Sequence, residues 1–158
     1  MKLARYAVLA AASAVVAFAQ LPSTKVLSVD VAQAIAQESM LKCRADGYKV
    51  TVRVVDAGNV LKAFVRDDGA MPATVDIARM KANSVMKFGR ASGPPANAPA
   101  GAPPPPPRLP DTINFMGGVP IKAGDQTIGA VSVSGAPGGD KDAACANFAL
   151  TKLADRLK

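Results

Sequence analysis

Three charged residues could hold an anionic ligand from one end of the molecule. Arg66 closes a predicted strand, Asp68 lies in the loop after it, and Lys81 sits on the next predicted helix. A guanidinium and an ammonium together would pair with a carboxylate-bearing ligand. The competing account is an internal pair, Arg66–Asp68 or Lys81–Asp68, that fixes the loop. Phe115-Met116-Gly117-Gly118 offers different chemistry. The ring can stack, the thioether is a soft donor, and two glycines let a flat ligand approach the backbone. A glycine-rich bend packed on Phe115 would use the same residues. Tyr48 is another possible donor, at a helix–strand junction where a structural role is the commoner one. Ser134 to Gly139 precedes a helix start, where exposed amides favour anions. Asp140 and Asp142 occupy that same end and would repel a phosphate. The Lys-Ser/Thr ending of a phosphate loop is missing, so helix capping is the better account.

Other chemistry is excluded by what the chain does not contain. There is no histidine. That removes imidazole metal sites, Ser-His-Asp catalysis and histidine acid–base work together. No nucleophile–base pair carries a signature, so no catalytic residue is assigned and the sequence leans against an enzyme. Lys and Arg are scattered and aromatics make up 4% of the chain, which argues against nucleic-acid binding.

The first nineteen residues set the compartment. Met1, Lys2 and Arg5 form a positive start, Tyr6 to Phe18 carry no charge, and Ala17-Phe18-Ala19 closes the run as a small-x-small cleavage site. This is the layout of a secretory signal peptide, residues 1–19. The apolar run is shorter than the ~20 residues a bilayer span needs, although a retained anchor is the alternative. Cleavage would leave residues 20–158 as a single domain, periplasmic or secreted, with no membrane attachment. Loss of Lys2 and Arg5 takes the net charge from +7 to +5. Two cysteines in an exported chain suggest a disulfide, Cys43 to Cys145. Two buried free thiols, or a thiolate ligand to a metal or heme, remain open.

The elements that must position these residues follow from periodicity. Val31 to Ala45 reads as a helix, with Ala32, Ile35, Ala36, Met40 and Cys43 on one face. Ser28 or Asp30 can cap it and Gly47 can end it. Lys49 to Asp56 alternates, Ala57-Gly58-Asn59 turns, and Val60 to Arg66 completes a β-hairpin. Thr74 can cap a second helix that carries Ile77, Ala78, Ala82, Val85 and Phe88 inward and ends at Gly89. Residues 92–110 hold nine prolines and read as an extended surface insertion. Beyond it lie a strand near Ile121, the turn Gly124-Asp125-Gln126, a strand from Thr127 to Ser134, and a last helix capped by Asp140. That helix places Cys145, Ala146, Ala149, Leu150, Leu153 and Leu157 on its apolar face. Hairpin-joined strands with separate helices predict an α+β fold, one antiparallel sheet covered by helices. If the first and last helices lie side by side, Cys43 and Cys145 can meet.

Five pieces in order carry a family resemblance: Val54-Val55-Asp56-Ala57-Gly58-Asn59-Val60-Leu61; Arg66-Asp67-Asp68-Gly69-Ala70; Ile77-Ala78-Arg79-Met80-Lys81-Ala82; Gly117-Gly118-Val119-Pro120-Ile121; and Ile128 to Ala136. The chain resembles the GlcG/HbpS-like family of heme-binding or haem-degrading domain proteins. The resemblance implies a profilin-like fold, a single domain with the proline-rich insertion, and a homo-oligomer. It implies an exported heme-binding protein that binds or sequesters heme, with weak degradation as an extension. Arg66 and Lys81 would then hold propionates, Phe115 would stack on the porphyrin, and Met116 would be a soft axial ligand. The chain departs from heme-binding relatives in having no histidine. The alternative is therefore an exported oligomeric accessory or small-ligand sensor that does not bind heme.

Overall fold

The computed structural model describes residues 23–94 and 109–158. The predicted signal peptide and most of the proline-rich insertion lie outside the described residues.

Helix α1 spans Val29–Ala45. Ser28 caps it, its side chain accepting from Val31 N, and Lys42 and Arg44 complement the dipole in the last turn. Strands β1 (Thr51–Asp56) and β2 (Leu61–Arg66) form the expected hairpin. Its turn is held by the Asp56 carboxylate, which accepts from Gly58 N at 2.9 Å and Val60 N at 3.0 Å. Helix α2 spans Ala73–Phe88 and ends on Gly89, whose φ of 65° suits a residue without a Cβ. Strands β3 (Gly118–Ala123) and β4 (Gln126–Ser134) make a second hairpin. Helix α3 spans Gly139–Lys152, followed by a 3-10 turn, Ala154–Leu157.

The sheet order is β2-β1-β4-β3, antiparallel throughout. Pro120 lies in β3, an edge strand, where a missing N–H costs no ladder bond. The arrangement is the predicted α+β fold: one antiparallel sheet flanked by helices.

Two local expectations are corrected. Thr74 lies inside α2 and makes no cap; its hydroxyl donates to Met71 O and meets Thr51 Oγ1 at 2.7 Å. Asp140 also lies inside its helix, whose cap position is Gly138 with no side-chain bond.

Helices α1 and α3 cover one face of the sheet. Ile35, Val50, Val52, Val54, Val131 and Val133 are buried there with both cysteines. Cys43 and Cys145 form the disulfide, with Sγ–Sγ 2.05 Å and Cα–Cα 5.5 Å. Helix α2 covers the other face. Its apolar cluster holds only Val55, Ala82, Val85 and Ala130, surrounded by buried polar side chains such as Thr51, Lys81, Ser84 and Ser132. No helix among the described residues is long and apolar enough to cross a membrane.

Candidate functional site

The site region lies on the α2 side, where the chain leaves the helix and returns to β3. Two serines join the outgoing and returning stretches. Ser92 Oγ accepts from Gly118 N at 2.8 Å and donates to Phe115 O at 2.7 Å, while Ser92 N donates to Gly118 O. Ser84 Oγ accepts from Ile113 N at 2.9 Å. Asn83 and Lys87 donate to Asp111 O and Pro110 O, fastening the returning stretch along α2. Gly93 is required here on two counts. Its φ is 78°, and a Cβ would lie 2.4 Å from Met116 N.

Three clefts surround this junction. The first, about 470 Å³, is lined by Met80, Phe88, Arg90, Ile113 and Phe115, among others. Its size suits a small-molecule pocket. Arg90 Nη1 donates to Gly93 O at 3.3 Å, which fixes the guanidinium at the cleft. The second, about 290 Å³, runs past Met116, Gly117 and Gly118 to Ala143 and Asn147. The third, about 360 Å³, has Met71, Ile77 and Phe115 along it and the Ser134–Gly139 loop beneath.

The sequence-selected residues separate on this map. Phe115 is 60% exposed and stands between the first and third clefts. Met116 is half-buried in the second. Gly117 and Gly118 are buried, and they are small because protein atoms press on them. A Cβ at Gly117 would lie 2.6 Å from Lys81 Nζ, and one at Gly118 would lie 2.8 Å from Val85 Cγ2. Arg66 donates to Ala70 O and lines none of the three clefts. Asp68 is exposed and also stands apart from them. The structure brings Lys81 and Phe115 to one cleft and leaves Arg66 and Asp68 elsewhere.

Lys81 is the residue whose surroundings depart furthest from the sequence expectation. It is 2% exposed, and its Nζ donates to Asp142 Oδ2 at 2.7 Å and to Val133 O at 2.9 Å. The partner is Asp142, 61 residues away, rather than Asp68. Asp142 Oδ1 accepts from Ala136 N at 3.0 Å. The Asp142 carboxylate is thus turned inward. Burial pushes the Lys81 ammonium down and the Asp142 carboxyl up, each shift opposed by the partner's charge.

Sequence reading missed Met80, Phe88 and Arg90. Phe88 and Ile77 carried an inward assignment, yet both are half-buried and line clefts. The available signal was the composition Phe88-Gly89-Arg90-Ala91-Ser92-Gly93 directly before the prolines.

Residues 27–151 match the model of a family described as haem degrading protein HbpS-like. The chain belongs to this HbpS-like family. The crystal structure of HbpS superimposes with a TM-score of 0.70 at 25% identity, covering 88% of this chain and 99% of that one. The Klebsiella pneumoniae protein ORFY gives 0.72 at 26% identity, covering 87% and 97%. A heme complex of PduOC gives 0.67 at 19% identity over 80% and 94%, a likeness of fold. No curated protein matches the chain.

The donor set can be tested against heme. Both cysteines are used by the disulfide and histidine is absent, so neither supplies a ligand. The thioethers of Met80 and Met116 remain as soft donors at the clefts. Phe88 and Phe115 offer ring faces, and Arg90 offers a guanidinium. These residues fit a porphyrin held by stacking, charge and, at most, a sulfur contact.

Proposed function

We propose that this chain is an exported heme-handling protein that binds or sequesters heme at the first cleft. The observation that carries this reading is the convergence there of Phe88, Phe115, Met80 and Arg90 within an HbpS-like chain. Phe115 stacks on the macrocycle and Phe88 closes the apolar side. Arg90 holds a propionate through N–H groups that its backbone bonds do not use. Met80 would offer its thioether as a soft donor to the iron, with Met116 lining the neighbouring cleft. Bound heme would supply redox-active iron; the chain's own part is to seat and shield it. Export is supported by the signal-like first nineteen residues and by a buried disulfide, which suits an oxidising compartment. A homo-oligomer would complete the shallow cleft walls.

Titration of hemin into the purified protein, read at the Soret band, tests this. The expected result is a saturable shift with at most a single heme per chain, weakened by Arg90→Gln and spectrally altered by Met80→Leu or Met116→Leu. A non-saturating signal equal to that of an unrelated basic protein overturns it. The missing histidine favours the second reading, an exported accessory or small-ligand sensor that binds no heme, and that outcome would promote it.

A further inference from the structure

The Lys81–Asp142 pair is not used by the heme reading. Both side chains stand in the wall of the third cleft, behind the rim of Met71, Ile77 and Phe115. An ammonium carries three N–H groups. Two go to Asp142 Oδ2 and Val133 O, and no described residue accepts the third. Lys81 also sits in the buried stripe of α2 with Ala78, Ala82 and Val85. An apolar side chain would fill that position without the desolvation cost of a buried ion pair. A buried amine beside a buried carboxylate, at the wall of an open cleft, is the arrangement of a lysine that reacts as a free base.

We propose that the third cleft is a carbonyl-binding site, in which Lys81 Nζ forms a Schiff base with a small neutral aldehyde or ketone and Asp142 accepts the proton that frees the amine. The Asp142 carboxylate takes one proton from the ammonium. The Nζ lone pair then attacks the carbonyl carbon, and one Nζ proton passes to the carbonyl oxygen, which becomes a hydroxyl. Loss of water with a further Nζ proton forms the C=N bond. Amine and carbonyl become imine and water, and no oxidant or reductant enters. The apolar rim suits a short hydrocarbon substituent. The first turn of α3, which reaches the cleft at Asp142, also carries Asp140, and the two acids disfavour an anionic ligand. β4 presents the Val133 carbonyl and Ser134 to the pair, and the chain entering β3 presents Gly117. Burial lowers Lys81 and raises Asp142, so the proton passes between them more readily than between free groups.

The test is reductive trapping on the whole purified protein. Propanal and cyanoborohydride are added at pH 6, and modified lysines are located by peptide mass spectrometry. The expected result is modification of Lys81 ahead of the exposed Lys152 and Lys158, by about tenfold for each unit that Lys81 lies below the ordinary lysine value. Reaction at the exposed lysines with Lys81 untouched overturns the proposal. Asp142→Asn, checked for native circular dichroism, is expected to slow the Lys81 reaction about tenfold or more. A rate equal to that of the native protein removes the role given to Asp142. The mapping on native protein decides the lysine assignment even if that variant does not fold.

Discussion

The two faces of the sheet are built from different materials. Under α1 and α3 the contacts are aliphatic, continuous and cross-linked by Cys43–Cys145. Under α2 a small apolar cluster shares the space with buried hydroxyls, a buried ion pair and close-packed glycines. One face therefore resembles an ordinary core, stabilised by apolar area and a loop constraint. The other places polar groups at defined positions, and all three clefts border it. On the proposed function, the difference divides stability and recognition between opposite sides of a four-stranded sheet.

The sharpest way to break this division is to remove the cross-link. Cys43→Ser with Cys145→Ser opens a separation of 102 residues. The expected loss is about 4.7 kcal/mol in the chain-entropy model. Urea unfolding of native and variant protein reads it directly. If hemin binding survives in the folded fraction, the division between faces holds.

Next in size is the ion pair. Lys81→Met leaves the Asp142 carboxylate buried without its cation, and the expected cost is about 3 kcal/mol. Lys81→Met combined with Asp142→Leu is expected to recover most of it, which a double-mutant cycle measures. A cost of the single variant below that of an ordinary surface change would mean that the pair is not desolvated.

Gly117→Ala tests how tightly that pair is packed. The new Cβ would lie 2.6 Å from both Lys81 Nζ and Val133 O, and the residue has a φ of 121°. The expected destabilisation is about 1–3 kcal/mol, with loss of hydrogen-exchange protection at Val133, whose N–H bonds Gly117 O. The same substitution at Gly47, where nothing lies within 4 Å, meets only the strain of its positive φ.

Much of the first face was legible in sequence. Ala32, Ile35, Ala36, Met40 and Cys43 recur at helical spacing, and Val50, Val52 and Val54 alternate; both patterns depend on local geometry alone. The disulfide followed because the two helices had apolar faces to share. The second face was not legible in the same way. Lys81 meets Asp142 only because β3 and β4 intervene and return the chain to α2, a contact that no local period encodes. Its one trace was a lysine at an apolar position of the α2 stripe. Phe88 and Ile77 fit the inward period of the helix, yet both are half-buried and line the first and third clefts, a placement set by which loops pack beside α2. The turn after Gly89 left no periodic signal at all.

The carboxylates of the two regions should titrate with opposite sign. Asp67 accepts from Arg44 of α1 at 2.7 Å, and that bond holds its carboxyl below the ordinary 3.8. Its stabilisation is present above pH 3.8 and is lost as pH falls from there through the lowered value. Asp142 is raised by burial, so its ionisation lowers stability as pH rises from 3.8 through the raised value. Melting temperatures between pH 2 and pH 7 separate them. Asp67→Asn is expected to flatten the acid limb, and Asp142→Asn to remove the opposing slope. Slopes of the same sign would contradict the contrast between a half-exposed pair and a buried one.

The smallest expected effect on stability is the most informative about recognition. Phe115 is 60% exposed, so Phe115→Ala removes little area from the folded state and should change stability by no more than about 0.5 kcal/mol. Its backbone carbonyl, not its ring, holds Ser92, so the junction survives the substitution. The ring is nevertheless the wall shared by the first and third clefts. If the α2 side serves recognition, this near-neutral change should weaken hemin binding by about tenfold, the value of one stacking contact. A Phe115→Ala protein that unfolds markedly more easily would show the ring to be part of the fold's support. A protein equally stable and equally able to bind hemin would remove Phe115 from the site and leave Arg90 and Met80 to carry it.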